Sequence, residues 1–450
     1  MRISPNTIKY NSKEGVVKFR NSILLAMVFY GLASATAMGD LAAQMGAHEW
    51  RELTTINVAP VIRGPAGSSN DCIFNYSNNG VWDPGTESFY FAGSDHQISG
   101  SGYGKFIKYS AANNTWSELP RPGWFPSLTS TAMHAYDHNA INVASGYFYT
   151  LGYCCSPALE RYNIKTATWT ALASAGYYQG AGGLEHFPEL GGLVFALSGT
   201  IRFFNESTSA WSTLGSASMG GEHGYAQYNP IHKVVICGGG DGNRSVTRVN
   251  ASRQVTAMAA APSDVGQIRP NYGFVTLDPV SGDYLVFGGG IGAGVFYVYD
   301  VIANTWTKQS QTVPFLNGDL NSATFLTVAA PVSTYGVVMF VKYVSSTQGK
   351  VYLYKHTVSG NVVEGAAGKA GHNIDLKISP NPVQSNFTVN LPANAGQGRI
   401  SLYTAGGQMV RTFEIKDSQS ATAIQGLQHG VYILKVDTRN LKTAKRLVVL

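Results

Sequence analysis

Tyr109-Ser110-Ala111-Ala112-Asn113-Asn114-Thr115-Trp116 is the stretch on which the fold turns. An aromatic residue is followed seven places later by Trp, and turn-forming residues lie between them. The same arrangement recurs at Tyr162–Trp169, Phe204–Trp211 and Tyr299–Trp306, with a degenerate copy at Val249–Thr256. The Trp-equivalent positions 116, 169, 211, 256 and 306 are 42 to 53 residues apart. Four-stranded blades of a β-propeller repeat at roughly 40–50 residues. In such a unit the first aromatic ends one strand and Trp opens the next strand of the same hairpin. Both rings can then bury between adjacent sheets.

Upstream of each hairpin lies an apolar strand that runs into glycine. Val286-Phe287-Gly288-Gly289-Gly290 and Ile236-Cys237-Gly238-Gly239-Gly240 are the clearest examples. Phe91-Ala92-Gly93, Leu151-Gly152 and Leu197-Ser198-Gly199 are reduced versions. Gly there permits positive φ and close backbone approach. Trp50, in His48-Glu49-Trp50-Arg51-Glu52-Leu53, reads as an outer strand supplied from the N-terminal side. It would complete a last unit around Tyr335 to Tyr354. The expectation is an all-β fold with six blades, seven being the alternative.

Composition agrees with many tight turns: charged residues are 13%, aromatics 12%, and Gly is 51 of 450. The formal net charge of +6 is concentrated at the two ends, +4 over residues 1–37 and +5 over 370–450, which leaves the middle at −3. That balance argues against nucleic acid as a partner. Lys9, Lys13, Lys18 and Arg20 precede an apolar run from Ile23 to Ala33, and Ala35-Thr36-Ala37 fits a small-residue cleavage site. Residues 1–37 therefore read as a secretory signal peptide. The apolar run is well short of the ~20 residues of a spanning helix, so no transmembrane segment is expected. Cys237 sits in a strand-like run and is expected as a buried thiol; the pairing among Cys72, Cys154, Cys155 and Cys237 stays open.

Residues 359–373 form a small-residue linker. From 374 the pattern changes to about seven short strands, which suits a small Ig-like β-sandwich over 374–450.

The glycine-ended strands and spaced aromatic pairs resemble the kelch repeat over residues 48–358, which implies a kelch-type β-propeller of the galactose oxidase/kelch-like superfamily. The C-terminal segment resembles the type IX secretion sorting domain of Bacteroidota. Pro380-Asn381-Pro382, Tyr403 to Gly407 with Val410 after it, Leu427-x-x-Gly430-Val431-Tyr432 and the final Lys445-Arg446-Leu447-Val448-Val449 carry that likeness. It implies a partnership with the type IX machinery through 374–450, and a secreted or outer-surface location.

No GxSxG, HExxH or phosphate loop is present. Function is therefore sought in the connections that lead from each outer strand to the next inner strand, near a channel mouth. These hold Asp71, Trp124, His134, Tyr177, Tyr178, His223, Arg269, Asn271 and Tyr272, followed by Asn317 and Asp319. Aromatic faces beside hydrogen-bonding groups suit a sugar. The expected function is a monomeric binding protein for an extracellular glycan or protein, without catalysis. The alternative is an extracellular carbohydrate-active enzyme of kelch class, copper-oxidase or epimerase-like. Galactose oxidase holds copper with two His and two Tyr, one of them cross-linked to Cys. Here Cys72 lies near Tyr76, but His134, His186 and His223 fall out of register, so no metal or other cofactor is expected. His138, in Tyr136-Asp137-His138-Asn139, is expected in a polar turn.

Overall fold

In a computed structural model, the structure describes residues 36–64, 72–94, 104–122, 136–152, 159–174, 181–270, 272–288, 294–316 and 326–357. It also describes 377–379, 383, 386–390, 398–404, 409–415, 419–423, 427–438 and 442–449. The expected leader up to Ala35 and the linker 359–373 lie outside these residues.

The chain is all-β, and among the described residues before 358 its strands form six four-stranded antiparallel sheets. The first holds Val81–Asp83, Ser88–Gly93, Lys105–Ser110 and Thr115–Leu119. The second holds Asn139–Asn142, Tyr147–Leu151, Leu159–Asn163 and Thr168–Ala171. The third holds Gly183–Phe187, Gly192–Leu197, Thr200–Asn205 and Ala210–Ser216. The fourth holds Gly224–Asn229, Val234–Gly239, Val246–Asn250 and Val255–Ala257. The fifth holds Phe274–Leu277, Tyr284–Gly288, Val295–Asp300 and Thr305–Lys308. The sixth takes Thr327–Val332, Val337–Ser345 and Gln348–Lys355 from late in the chain and its outer strand, Glu49–Glu52, from the beginning. Trp50 there faces Tyr354 across the pair and stacks on it at 4.3 Å.

The aromatic hairpins explain the outer half of each sheet. Tyr109 and Trp116 are direct cross-strand partners, as are Tyr162 and Trp169, Phe204 and Trp211, and Tyr299 and Trp306. Polar side chains tie the turns: Asn163 and Asn205 Oδ1, like Asp300 Oδ1, each accept from backbone N–H groups two and three residues on. Each of the four Trp indoles then reaches the exit of the preceding sheet. Trp169 donates to Pro120 O, Trp211 to Ala173 O and Trp306 to Ala259 O, while Trp116 donates to Thr55 Oγ1, just after the Glu49–Glu52 strand. The degenerate copy differs by one place, because Val249 pairs with Val255 and Thr256 faces Arg248. Its turn is one residue shorter, closed by Asn250 Oδ1 accepting from Ser252 and Gln254 N–H.

Every neighbouring pair of sheets buries its own apolar layer. Phe106 packs on Phe148 and Tyr162 between the first and second, and Tyr149 and Leu151 on Leu193 and Phe195 between the second and third. The third and fourth share Val194, Phe203, Val235 and Cys237; the fourth and fifth share Ile236 and Val286. The fifth and sixth share Phe287 and Phe340, and the sixth closes on the first through Val341, Phe91 and Ile107. Burying six such layers supplies the main driving force for assembly, at roughly 25 cal/mol per Å². A helix, α1 (Ala37–Ala43), adds Met38 and Ala42 to the last layer. Thr36 caps α1 and bonds to the Tyr335 hydroxyl at 2.8 Å, so the last two residues of the expected leader belong to packed structure.

The first strands lie side by side in sequence order, and the sixth returns to the first. Leu184 N–H donates to Asp137 O, Gly224 N–H to Ala181 O, and Gly80 N–H to Ala329 O. The approach is close enough to require glycine at Gly183, where a Cβ would stand 2.1 Å from Ala226 N.

In the C-terminal segment, Lys377–Ser379, Asn386–Asn390 and Gln419–Ala423 form one sheet. Gly398–Thr404, Met409–Ile415, Gly430–Thr438 and Lys442–Val449 form another. Phe387, Val389, Ile400, Leu402, Leu434 and Val436 are buried in a shared core.

Candidate functional site

The start of each first strand defines a front mouth of the ring, and its end a rear mouth. At the front, Tyr76, Tyr136 and His223 stand just before the first-strand segments of the first, second and fourth sheets. All three take positive φ, at 52°, 45° and 64°. Leu326, before the sixth sheet, does the same at 43°. The left-handed conformation therefore recurs at four of the six strand starts, and the residue type placed on it carries the chemistry.

These three rings converge. Tyr76 stacks on His223 at 5.4 Å with an interplanar angle of 29°. Tyr136 lies 5.6 Å from His223 and 6.5 Å from Tyr76. Beside them, His223 Nδ1 is 2.7 Å from Asp241 Oδ1, and Arg269 donates to the same carboxylate oxygen. Arg269 in turn lies over the Tyr272 ring at 4.0 Å. Arg269 also comes within 3.4 Å of His223 Nδ1, which cannot both accept from it and donate to Asp241. The shorter contact assigns the proton to Nδ1, donated to Asp241. Burial lowers the His223 pKa, and Arg269 adds to that against the opposing pull of Asp241, so the ring is neutral at neutral pH. Burial pushes the Asp241 carboxyl up, but hydrogen bonds from Arg269 and His223 outweigh it and hold the group below its usual range.

Glu222, His223 and Asp241 bring one ligand atom each within 4.8 Å of one another. The donor set fits a metal ion poorly, because the Asp241 oxygen that would bind it is already engaged by the Arg269 cation. His186 pairs with Glu206 at 3.1 Å, and His138 Nδ1 contacts Leu151 O at 3.1 Å, so neither joins His223.

Of the sequence candidates, the structure brings His223, Arg269 and Tyr272 together. Asp71, Trp124, His134, Tyr177, Tyr178, Asn271, Asn317 and Asp319 lie outside the described residues. The convergence adds Tyr76, Tyr136 and Asp241. A signal for two of them exists: Tyr76-Ser77-Asn78-Asn79 and Tyr136-Asp137-His138-Asn139 share a Tyr three places before Asn. The expected polar turn at His138 is corrected. Asp137 and His138 are 1% and 0% exposed and lead directly into the strand that begins at Asn139. Burial holds His138 down at about 4. Asp137 Oδ1 accepts from Asn79 Nδ2 at 2.9 Å and Oδ2 from Ala226 N–H at 2.8 Å, so one side chain ties three sheets. Burial pushes its pKa up to about 7 against those two bonds. Cys237 is a buried thiol, pushed up to about 12 by burial.

The rear mouth contrasts with this. It opens into a cavity of about 470 Å³ lined by residues from all six sheets, among them Trp82, Pro84, Tyr228, Pro230 and Pro279.

Residues 377–450 match the secretion system C-terminal sorting domain family. The match implies export by the type IX secretion system and attachment at the cell surface. No curated protein matches the chain. Among solved structures, a structural genomics protein of unknown function from Bacteroides thetaiotaomicron is 13% identical, with 68% of this chain and 76% of that one covered and a TM-score of 0.47. PorZ, a surface component of the type IX secretion system of Porphyromonas gingivalis, is 14% identical, with a TM-score of 0.38. That alignment covers 86% of this chain and 60% of PorZ. No helix among the described residues is long and apolar enough to cross a membrane.

Proposed function

We propose that this type IX-exported protein is a surface binding protein whose residues 48–358 form a six-bladed kelch-like propeller, and that its front mouth recognises a glycan. Tyr76, Tyr136 and His223, drawn from three sheets, form an aromatic cluster in which half-buried Tyr76 is the ring on which a sugar would stack. The Asp241–Arg269 pair beside them supplies an acceptor and a forked donor for hydroxyl groups. The first strands neighbour one another in cyclic order and the Glu49–Glu52 strand completes the last sheet, which supports the propeller assignment. Among the described residues, His223, Asp241 and Arg269 of this mouth are engaged with one another, which favours binding over catalysis.

A glycan array probed with the mature full-length protein tests this. The array should give a hit whose affinity falls about tenfold or more in Tyr76→Ala and in Arg269→Ala, the range of a buried aromatic or arginine hot spot. An array without hits, or variants that bind as the parent does, would overturn it.

A further inference from the structure

The rear cavity has apolar walls and an acidic floor. Trp82, Pro84, Pro188, Tyr228, Pro230 and Pro279 form the walls. Deeper in, Glu185 and Gln227 line the same space, and Gln227 Nε2 donates to Glu185 Oε1 at 2.9 Å. Gln227 is 5% exposed, and its Oε1 is buried with no hydrogen-bond partner. A buried acceptor left unmatched destabilises the empty site. Behind this pair lies Asp137, close enough to raise the Glu185 pKa by repulsion, while burial raises it most. No Lys or Arg among the described residues pairs with either carboxyl. A concave apolar chamber of this size, closed by one carboxyl and one unmatched acceptor, has the build of a small-ligand site.

We propose that the rear cavity binds a primary ammonium group carried on a short apolar body, with Glu185 as its counter-ion and Gln227 Oε1 as a second acceptor. An ammonium has three donors and no acceptor, which matches a floor offering acceptors. The apolar body would lie against the prolines and Trp82. A neutral alcohol of the same shape would fill the walls but leave the carboxyl without a cation. The titratable groups that sense Glu185 are Asp137, Tyr228 and Tyr284; His186, also on the wall, is paired with Glu206. Both tyrosines are raised by burial and stay neutral, so the carboxyls alone respond near neutral pH. Burial and Asp137 favour the protonated form of Glu185 whereas a bound ammonium favours its carboxylate, so binding releases a proton to solvent and strengthens as pH rises.

Calorimetric titration of the mature full-length protein with 3-phenylpropylammonium and, in parallel, 3-phenylpropanol tests the site. The amine is expected to bind about tenfold or more tightly than the alcohol, and more tightly at about pH 8 than at about pH 6. Glu185→Gln, which keeps shape and the contact to Gln227, should remove most of the amine's advantage and flatten its pH dependence while leaving the alcohol within about twofold. The melting curve of each protein shows whether it is folded. Equal binding of amine and alcohol, no amine binding by the folded parent, or undiminished amine binding by Glu185→Gln would each overturn the proposal. The front-mouth variants Tyr76→Ala and Arg269→Ala should bind the amine as the parent does, which separates this site from the glycan reading.

Discussion

The front and rear mouths are made by opposite ends of the same six strands, yet they are built by different rules. The rear ends run into tight turns closed by their own polar side chains. Asp83 accepts from Gly85 and Thr86 N–H, Asn142 from Ser145, Asn229 from Ile231 and His232, and Asp278 from Ser281. Pro84, Pro230 and Pro279 follow three of these residues directly. At the front, four of the strands start from residues held at positive φ, and the Arg269–Asp241 pair joins neighbouring sheets. Local sequence therefore determines the rear, and assembly determines the front. Loss of a rear turn residue should cost stability, and loss of a front-cluster residue should cost glycan binding.

Asp137, between the two ends, should show the largest effect. Asp137→Ala leaves the Ala226 N–H and the Asn79 amide without an acceptor, at roughly 2–5 kcal/mol in denaturant unfolding. Its folded pKa lies above the usual carboxylate value, so the folded state holds the proton more tightly than the unfolded chain does. Its contribution to stability is therefore fully present below about pH 4 and is lost as pH rises towards about 7. Asp137→Asn should flatten that slope; a profile parallel to the parent's would place the pH dependence elsewhere.

Asn229→Ala, at the rear, should follow. Asn229 is fully buried, donates to Gly282 O at 2.7 Å and closes its own turn. Losing these bonds should cost about 1–3 kcal/mol in the same unfolding assay. The smallest stability change belongs to Arg269→Ala, below about 1 kcal/mol because its partner Asp241 is half exposed and such pairs are screened. An Arg269→Ala protein that unfolds as readily as Asn229→Ala would erase the distinction between the mouths.

The same distinction explains what was legible in the sequence. Tyr109–Trp116 and its copies could be read because a strand, an Asx-closed turn and a strand fit within eight residues, so spacing alone fixes the pairing. Trp50 could be read because it repeats that text. Val249–Thr256 was one place out, since without an aromatic pair only the turn length set the register. The front cluster was half hidden: Tyr76, Tyr136, His223 and Asp241 meet only once the inner strands of three sheets are in place. The role of Asp137 was hidden for the same reason, as both partners of its carboxylate lie in other sheets. Ala35-Thr36-Ala37 reads as a cleavage site by residue size, whereas the cap that Thr36 places on α1 depends on folded structure.

Closure of the ring by its first strand is the feature on which both mouths depend, and a disulfide tests it directly. Glu49 and Lys355 are cross-strand partners in the sixth sheet. In the folded double variant Glu49→Cys/Lys355→Cys, mild oxidation should join these two positions, seen as one linked peptide pair by mass spectrometry, with a raised melting temperature because so long a loop is closed. Folded protein that stays unlinked at these positions under the same oxidation would contradict a ring sealed by residues 49–52.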